Sequence, residues 1–299
     1  MNSSLVVLGR GRGLGSVLRT LRDLDNPLTV IVATAEPADG GPAADQDAEP
    51  ALSELRRSIE ALTDDRAALA RALRRPLTLD RLGSHPLGNL VLGSLASAFG
   101  DLGVASIWLG DQLGIGGAVV PATVDPLSYV IEPERRASRR AELAGGPEPR
   151  RLRLIPERPQ TSRTATDAIA EADLILLAPG ALFSGILAVS AIPAIRQAVR
   201  ASPGRVLWVA NLEFEAGDSL HDQLDALQRH QVRVDAVLFD PETVPPVDAD
   251  RLAAEGVEVI PRRLGVPATG EYSYELLGAA LSEVLGGLPV GASDGSRRV

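Results

Sequence analysis

The stretch from Leu5 to Leu24, LVVLGRGRGLGSVLRTLRDL, constrains this chain more than any other. The run Leu5-Val6-Val7-Leu8 suits a strand buried on both faces, because no polar residue interrupts it. Gly9, Gly11, Gly13 and Gly15 then alternate with other residues, and Val17, Leu18 and Leu21 follow Leu14 at helical spacing. Strand, glycine turn and helix make the first half of a βαβ unit. Glycine lets the backbone turn tightly and lets a ligand approach it. The helix start offers unpaired N–H groups and a positive dipole end to an anion. The stretch reads as a phosphate or pyrophosphate cradle; the alternative is a turn that only packs helix against strand. Its order, GxGxGxG, departs from the dinucleotide fingerprint GxGxxG at Leu14, and no Gly-Lys-Ser/Thr of a Walker A loop follows.

The same alternation continues along the chain. Strands are expected at Leu28 to Thr34, Ala105 to Leu109, Ala118 to Val120, Leu174 to Leu177, Val206 to Val209, Ala236 to Phe239 and Val257 to Ile260, with an edge strand at Leu152 to Ile155. Helices are expected over Leu52 to Arg74 (one or two), Leu87 to Phe99 with Ser84 as its cap, Thr164 to Ala172, Pro193 to Val199, Ser219 to His230 and Glu271 to Leu285. Ala43 to Pro50 and Pro133 to Pro149 read as solvated excursions. Alternating strands and helices predict an α/β fold, a mostly parallel sheet with helices on both faces. Residues 1–285 are expected to form one α/β domain and 286–299 a disordered tail. Ligands of such sheets bind beyond the carboxyl ends of the strands. The loops after Leu8, Thr34, Leu177 and Val209 would then meet at one crevice, with the His85 helix start beside it.

Composition excludes several chemistries. The 299 residues contain no cysteine, so there is no thiol nucleophile, disulfide or zinc finger. Lysine is absent too, which excludes Schiff-base and P-loop lysine chemistry. A net charge of −9 without a long basic segment argues against nucleic acid and against an anionic membrane surface. The N-terminus lacks a signal-peptide pattern. Leu174 to Ile195 is greasy enough to suggest a membrane span, but Pro179, Gly180, Ser184, Gly185 and Ser190 break it. A soluble cytoplasmic protein is expected. With only His85, His221 and His230 available, no metal site is assigned.

Some residues could do chemistry. Arg10 and Arg12 could grip phosphate oxygens in bidentate fashion, or they could face solvent or pair with Asp25 or Glu36. Asp39 and Glu36 could hold Mg²⁺ against a diphosphate, or belong to a solvated acidic turn. His85 is a neutral ligand contact or a packing residue. Asn89, in an apolar helix, must find polar partners, and a nucleotide is one candidate. Asn211 at a strand end follows the same logic. His221 and His230 read as surface residues.

These loops together resemble the YvcK/CofD-like family, which includes gluconeogenesis-factor proteins and 2-phospho-L-lactate transferase. VVLGRGRGLGSVLRTL is similar to that family's opening VVIGGGTGLSVLLRGL, sharing Gly9, Gly11, Gly13, Leu14, Leu18 and Arg19. TVIVATAEPADGG resembles TAIVTVADDGG in Asp39, Gly40 and Gly41. SHPLGNL is close to GHSLGNL in His85, Leu87, Gly88, Asn89 and Leu90. ADLILLAPGALFSGIL resembles ADLIVLGPGSLYTSIL in Pro179, Gly180 and Leu182, and VANLEFEAGDS resembles VCNLMTQPGET in Asn211, Leu212 and Gly217. The family's GDIRN appears as Ser53-Glu-Leu-Arg-Arg57 and keeps Arg56. Arg10 and Arg12 stand where the family has small Gly and Thr.

The resemblance implies a Rossmann-like fold with a phosphate-bearing small molecule at the strand ends and allows a homodimer. Gly9, Gly11 and Gly13 would form the anion turn, with Arg10, Arg12 and Arg56 as clamps. His85, Gly88, Asn89, Gly180 and Asn211 would shape and orient the ligand, beside Asp39, Gly40 and Gly41. A regulatory protein of the gluconeogenesis-factor type, binding a nucleotide or UDP-sugar in carbon metabolism and cell-wall or cell-shape control, is the first expectation. A Mg²⁺-dependent phospho-ester transferase is the second. A degenerate scaffold, its arginines plugging the pocket, is the third.

Overall fold

The computed structural model describes residues 3–38, 50–79, 83–133, 150–214, 219–244, 246–266 and 270–287. Its centre is a seven-stranded sheet. In chain order the strands are β1 (Leu5–Gly9), β2 (Leu28–Val32), β3 (Gly117–Pro121), β4 (Leu174–Leu177), β5 (Arg205–Val209), β6 (Ala236–Phe239) and β7 (Glu258–Pro261). They lie in the order β7-β6-β5-β4-β1-β2-β3, and every neighbouring pair is parallel. Val7 of β1 pairs with Val30 on one side and Leu176 on the other. This is the doubly wound order 3-2-1-4-5-6 with a seventh strand added at the far edge.

Strand periodicity explains the two cores. Leu5 and Val7 point to one face, where they join Leu14, Val17, Leu18 and Leu21 of α1 (Gly11–Leu21). Leu55, Ile59 and Leu62 of α2 (Pro50–Leu62) pack on that same face. Val6 and Leu8 point to the other, where Ile169, Ile195, Val199, Leu224 and Leu227 cover the sheet. The helices there are those at Arg163–Glu171, Pro193–Ala201 and Leu220–Arg229. Among the described residues no single helix is long and apolar enough to cross a membrane. The greasy stretch from Leu174 is strand β4, then a π-helical segment at Leu182–Leu187, both buried in the core.

Several expectations are corrected. Ala105 to Leu109 is helical, within Leu102–Gln112; Asp101 Oδ1 accepts the Val104 N–H at 2.9 Å and starts it. A short apolar run carries no period of its own, so this cap and packing against Leu87–Phe99 decide its state. Ser84 does not cap that preceding helix. It lies in a hairpin strand, Gly83–Pro86, paired antiparallel with Pro76–Leu79, and Pro86 occupies the N-cap. The last helix begins at Tyr274 rather than Glu271 and ends at Gly286, one residue into the expected tail; Glu271–Tyr272 is a short strand.

His230 is not a surface residue. It is buried, its Nε2 accepts the Leu152 N–H at 3.0 Å, and its Nδ1 lies 2.7 Å from the Ala226 carbonyl. Leu152 belongs to the edge strand Arg150–Ile155, which pairs antiparallel with Ser128–Pro133. The segments 43–49 and 134–149 lie outside the described residues.

Trp208 of β5 is fully buried in the core opposite α1, and its Nε1 has no hydrogen-bond partner. Trp208→Ala should cost about 3–5 kcal/mol, read from the midpoint of urea unfolding. Trp208→Phe should cost less, because it also removes an unpaired buried donor.

Candidate functional site

Strands β1 and β4 are neighbours, and the chain winds away from them in opposite directions. That makes the space beyond their carboxyl ends the switch point, where ligands of open α/β sheets bind. The two loops meet there backbone to backbone. A Cβ on Gly13 would stand 2.0 Å from the Pro179 carbonyl oxygen, and one on Gly9 would stand 2.9 Å from the Ala178 Cβ. These two glycines are demanded by contact. Gly11 is demanded by conformation, at φ +75° with open space around its Cβ position. Gly180, at φ +152°, sits over the Arg10 carbonyl.

A carboxylate of the protein already stands at the start of α1. The Gly11 N–H donates to Glu54 Oε2 at 2.7 Å. Glu54, on α2, is 5% exposed, with Arg57 Nη1 at 3.4 Å and Arg10 Nη2 at 3.9 Å from its other oxygen. Arg10 turns inward and donates through Nη1 to the Ala35 carbonyl at 2.7 Å. So Arg10 is not paired with Asp25 or Glu36; it links the loops after β1 and β2. Arg12, two positions further along, is exposed.

The adjoining turn of α2 braces the next helix. Arg56 is buried; its Nε donates to Asn89 Oδ1 at 2.7 Å and its Nη1 contacts Glu60 Oε1 at 2.7 Å. Asn89 Nδ2 donates to Ser53 Oγ at 2.8 Å, and Asn89 is 2% exposed. Its polar partners therefore come from α2. Gly88 is required here because a Cβ would stand 2.6 Å from the Arg56 Cδ. His85 is half-buried on the hairpin opposite Leu77.

The loop after β5 has its own supports. Asn211 is half-buried, and its Oδ1 lies 3.1 Å from the Leu212 N–H. Tyr272 donates to the Ala210 carbonyl at 2.9 Å, and burial pushes its phenol well above the usual value. Buried Asp240, just past β6, accepts the Leu264 and Gly265 N–H groups at 2.8 and 3.0 Å.

Structure thus joins Gly9, Arg10, Gly11, Gly13 and Gly180 at one corner, and Arg56, Gly88 and Asn89 at the adjoining brace. Asp39, Gly40 and Gly41 lie outside the described residues. Glu36 is half-buried on a short strand beside Ser128. Among the described residues no three His, Cys, Asp or Glu side chains gather as metal ligands, and Glu54 is committed to Gly11 and Arg57. Sequence reasoning misses Glu54; its only signal is its place beside Arg56 in Ser53-Glu-Leu-Arg-Arg57.

The family model described as "2-phospho-L-lactate transferase CofD" matches residues 5–264. The chain belongs to the CofD family. A putative gluconeogenesis factor of Deinococcus radiodurans is 34% identical over 279 residues, which cover 86% of this chain. The match spans only 57% of that relative's length. The gluconeogenesis factor of Bacillus subtilis is 29% identical over 286 residues, covering 86% of this chain and 89% of that one. A crystal structure of a UPF0052 family member from Bacillus halodurans superposes with a TM-score of 0.78 at 24% identity, over 94% of this chain and 99% of that one. That likeness carries the fold. The CofD match begins at β1 and takes in every loop of the corner and brace, while the final helix lies beyond it.

Glu54→Ala should destabilise the protein by about 1–3 kcal/mol, since it removes a charged acceptor from a half-buried N–H. Glu54→Gln keeps an oxygen for Gly11 and should recover part of that loss in the same urea titration.

Proposed function

We propose that this CofD-family chain binds a phosphate-bearing nucleotide or nucleotide-sugar at the switch point between β1 and β4, in the regulatory manner of a gluconeogenesis factor. The observation that carries the reading is the glycine corner itself. The α1 N-terminus lies at the end of β1, Gly9 and Gly13 bring the backbone there against Ala178 and Pro179, and Arg12 of the first helical turn is exposed. The names of the Deinococcus and Bacillus relatives support the gluconeogenesis-factor type. Control of carbon metabolism or of the cell wall, from the cytoplasm, belongs to this proposal. Because Glu54 holds the Gly11 N–H, the phosphate is met by Arg12 and by later N–H groups of the first turn, not by Gly11.

Two contacts favour a second reading. Arg10 bound to the Ala35 carbonyl, and Glu54 bound to Gly11, are what a plugged cradle would show. In that case the chain is a scaffold that acts through a partner.

Thermal unfolding with UDP-sugars and guanine nucleotides separates the two. Ligand at about 100 times its Kd should add roughly 2.7 kcal/mol of stability. Arg12→Ala should weaken binding by about one to two orders of magnitude, the loss of one charge-assisted contact worth about 1.5–3 kcal/mol. Glu54→Gln, which removes a negative charge from the corner, should tighten it. No shift at millimolar ligand in either the natural chain or Glu54→Gln selects the scaffold.

A further inference from the structure

The face of the sheet opposite α1 carries a concentration of positive charge that the switch point does not use. An open groove of about 760 Å³ lies beside the helix Pro193–Ala201. Arg196, Gln197 and Arg200 of this helix line it, with Arg158 from the segment after the 150–155 strand and Gln231. Among the described residues its lining holds three arginines and no acid. A neighbouring hollow of about 380 Å³ shares Arg196 and Gln231 and adds Arg151, Arg153 and Arg229 against Glu132 and Glu157. Glu132 is already held by Arg153 at 2.9 Å.

Composition does not account for this. The chain is acidic, at −9, so three arginines lining one groove without a carboxylate run against its average. Arg196 and Arg200 are four residues apart on one helix, where like charges repel. The groove runs the full length of this helix, from Pro193 to Ala201, so its charge comes from the arginines and not from one end of the helix dipole. An anion relieves that repulsion, and guanidinium groups suit phosphate oxygens in particular. The groove's volume falls within the roughly 300–1,000 Å³ of small-ligand sites. Among the described residues no aromatic side chain lines it, which disfavours base stacking and so nucleotides and single-stranded nucleic acid.

We propose that this groove is a second ligand site, which takes a compact molecule carrying two or more phosphate groups. It shares no residue with the switch point and stands independently of the function proposed above. The test is isothermal titration calorimetry of the full chain with pyrophosphate and tripolyphosphate at constant ionic strength. Binding is expected with both, tighter for tripolyphosphate. The double variant R158A/R200A should weaken tripolyphosphate at least tenfold, whereas Arg71→Ala, at an exposed arginine outside the groove, should leave it unchanged. Both arginines are exposed, so circular dichroism should be unaltered. Gln197→Glu, which keeps the arginines and places an anion in the groove, should weaken binding in the same direction. The proposal is overturned by absence of heat with either probe, or by equal affinity in the natural chain and in the groove variants. Tighter binding of a short single-stranded DNA than of tripolyphosphate, lost in the same variants, would also overturn it in favour of a nucleic-acid surface.

Discussion

The hydrogen bond from Gly11 to Glu54 organises one end of this molecule. A helix that starts in a bare glycine turn exposes N–H groups with no intrahelical partner. At α1 the first of these points toward α2, and a carboxylate there both accepts the bond and meets the positive end of the helix dipole. Such an interaction contributes roughly 0.3–1 kcal/mol when exposed and up to about 2 kcal/mol when partly buried. Its structural effect is larger than its energy, because Glu54 shares one helical turn with Ser53, Arg56 and Arg57. The same turn that closes the start of α1 grips Asn89 on the next helix through Ser53 and Arg56. Corner and brace are therefore one unit: a shift of α2 would open both.

The parts of this arrangement that are legible in the sequence are those written in periodicity. Uninterrupted apolar runs at Leu5 to Leu8 and Leu174 to Leu177 mark strands buried on both faces, and they are neighbours in the sheet. The glycines of the first turn read as room for a ligand; at Gly9 and Gly13 that room is taken by Ala178 and Pro179. Ala105 to Leu109 is illegible because five residues of mostly apolar character fit a strand or a buried helix equally well; only the Asp101 cap, just outside the run, separates them. Asn89 reads correctly as an amide in need of partners. Its partners lie 33 and 36 residues back, and no local spacing predicts a pairing between helices. His230 misleads for the same reason: its polar neighbours on Leu220–Arg229 suggest a wet face, yet the Leu152 strand covers it.

Glu54 also fixes what any anionic guest must overcome. Two unit charges about 4 Å apart at an effective dielectric constant of about 20 repel by about 4 kcal/mol. A phosphate brought against the start of α1 meets that repulsion unless cations stand between. Arg57 already faces Glu54, at 3.4 Å. Arg10 is the adjustable member: its short bond goes to a neutral carbonyl, while its distance to Glu54 is 3.9 Å. Releasing Ala35 forfeits one hydrogen bond from a charged donor, about 1.5–3 kcal/mol, which is of the same order as the repulsion it would offset. An arginine swung from that carbonyl to a phosphate would exchange a neutral acceptor for a charged one. On these magnitudes, the two proposed readings of the corner differ by the position of one side chain, Arg10.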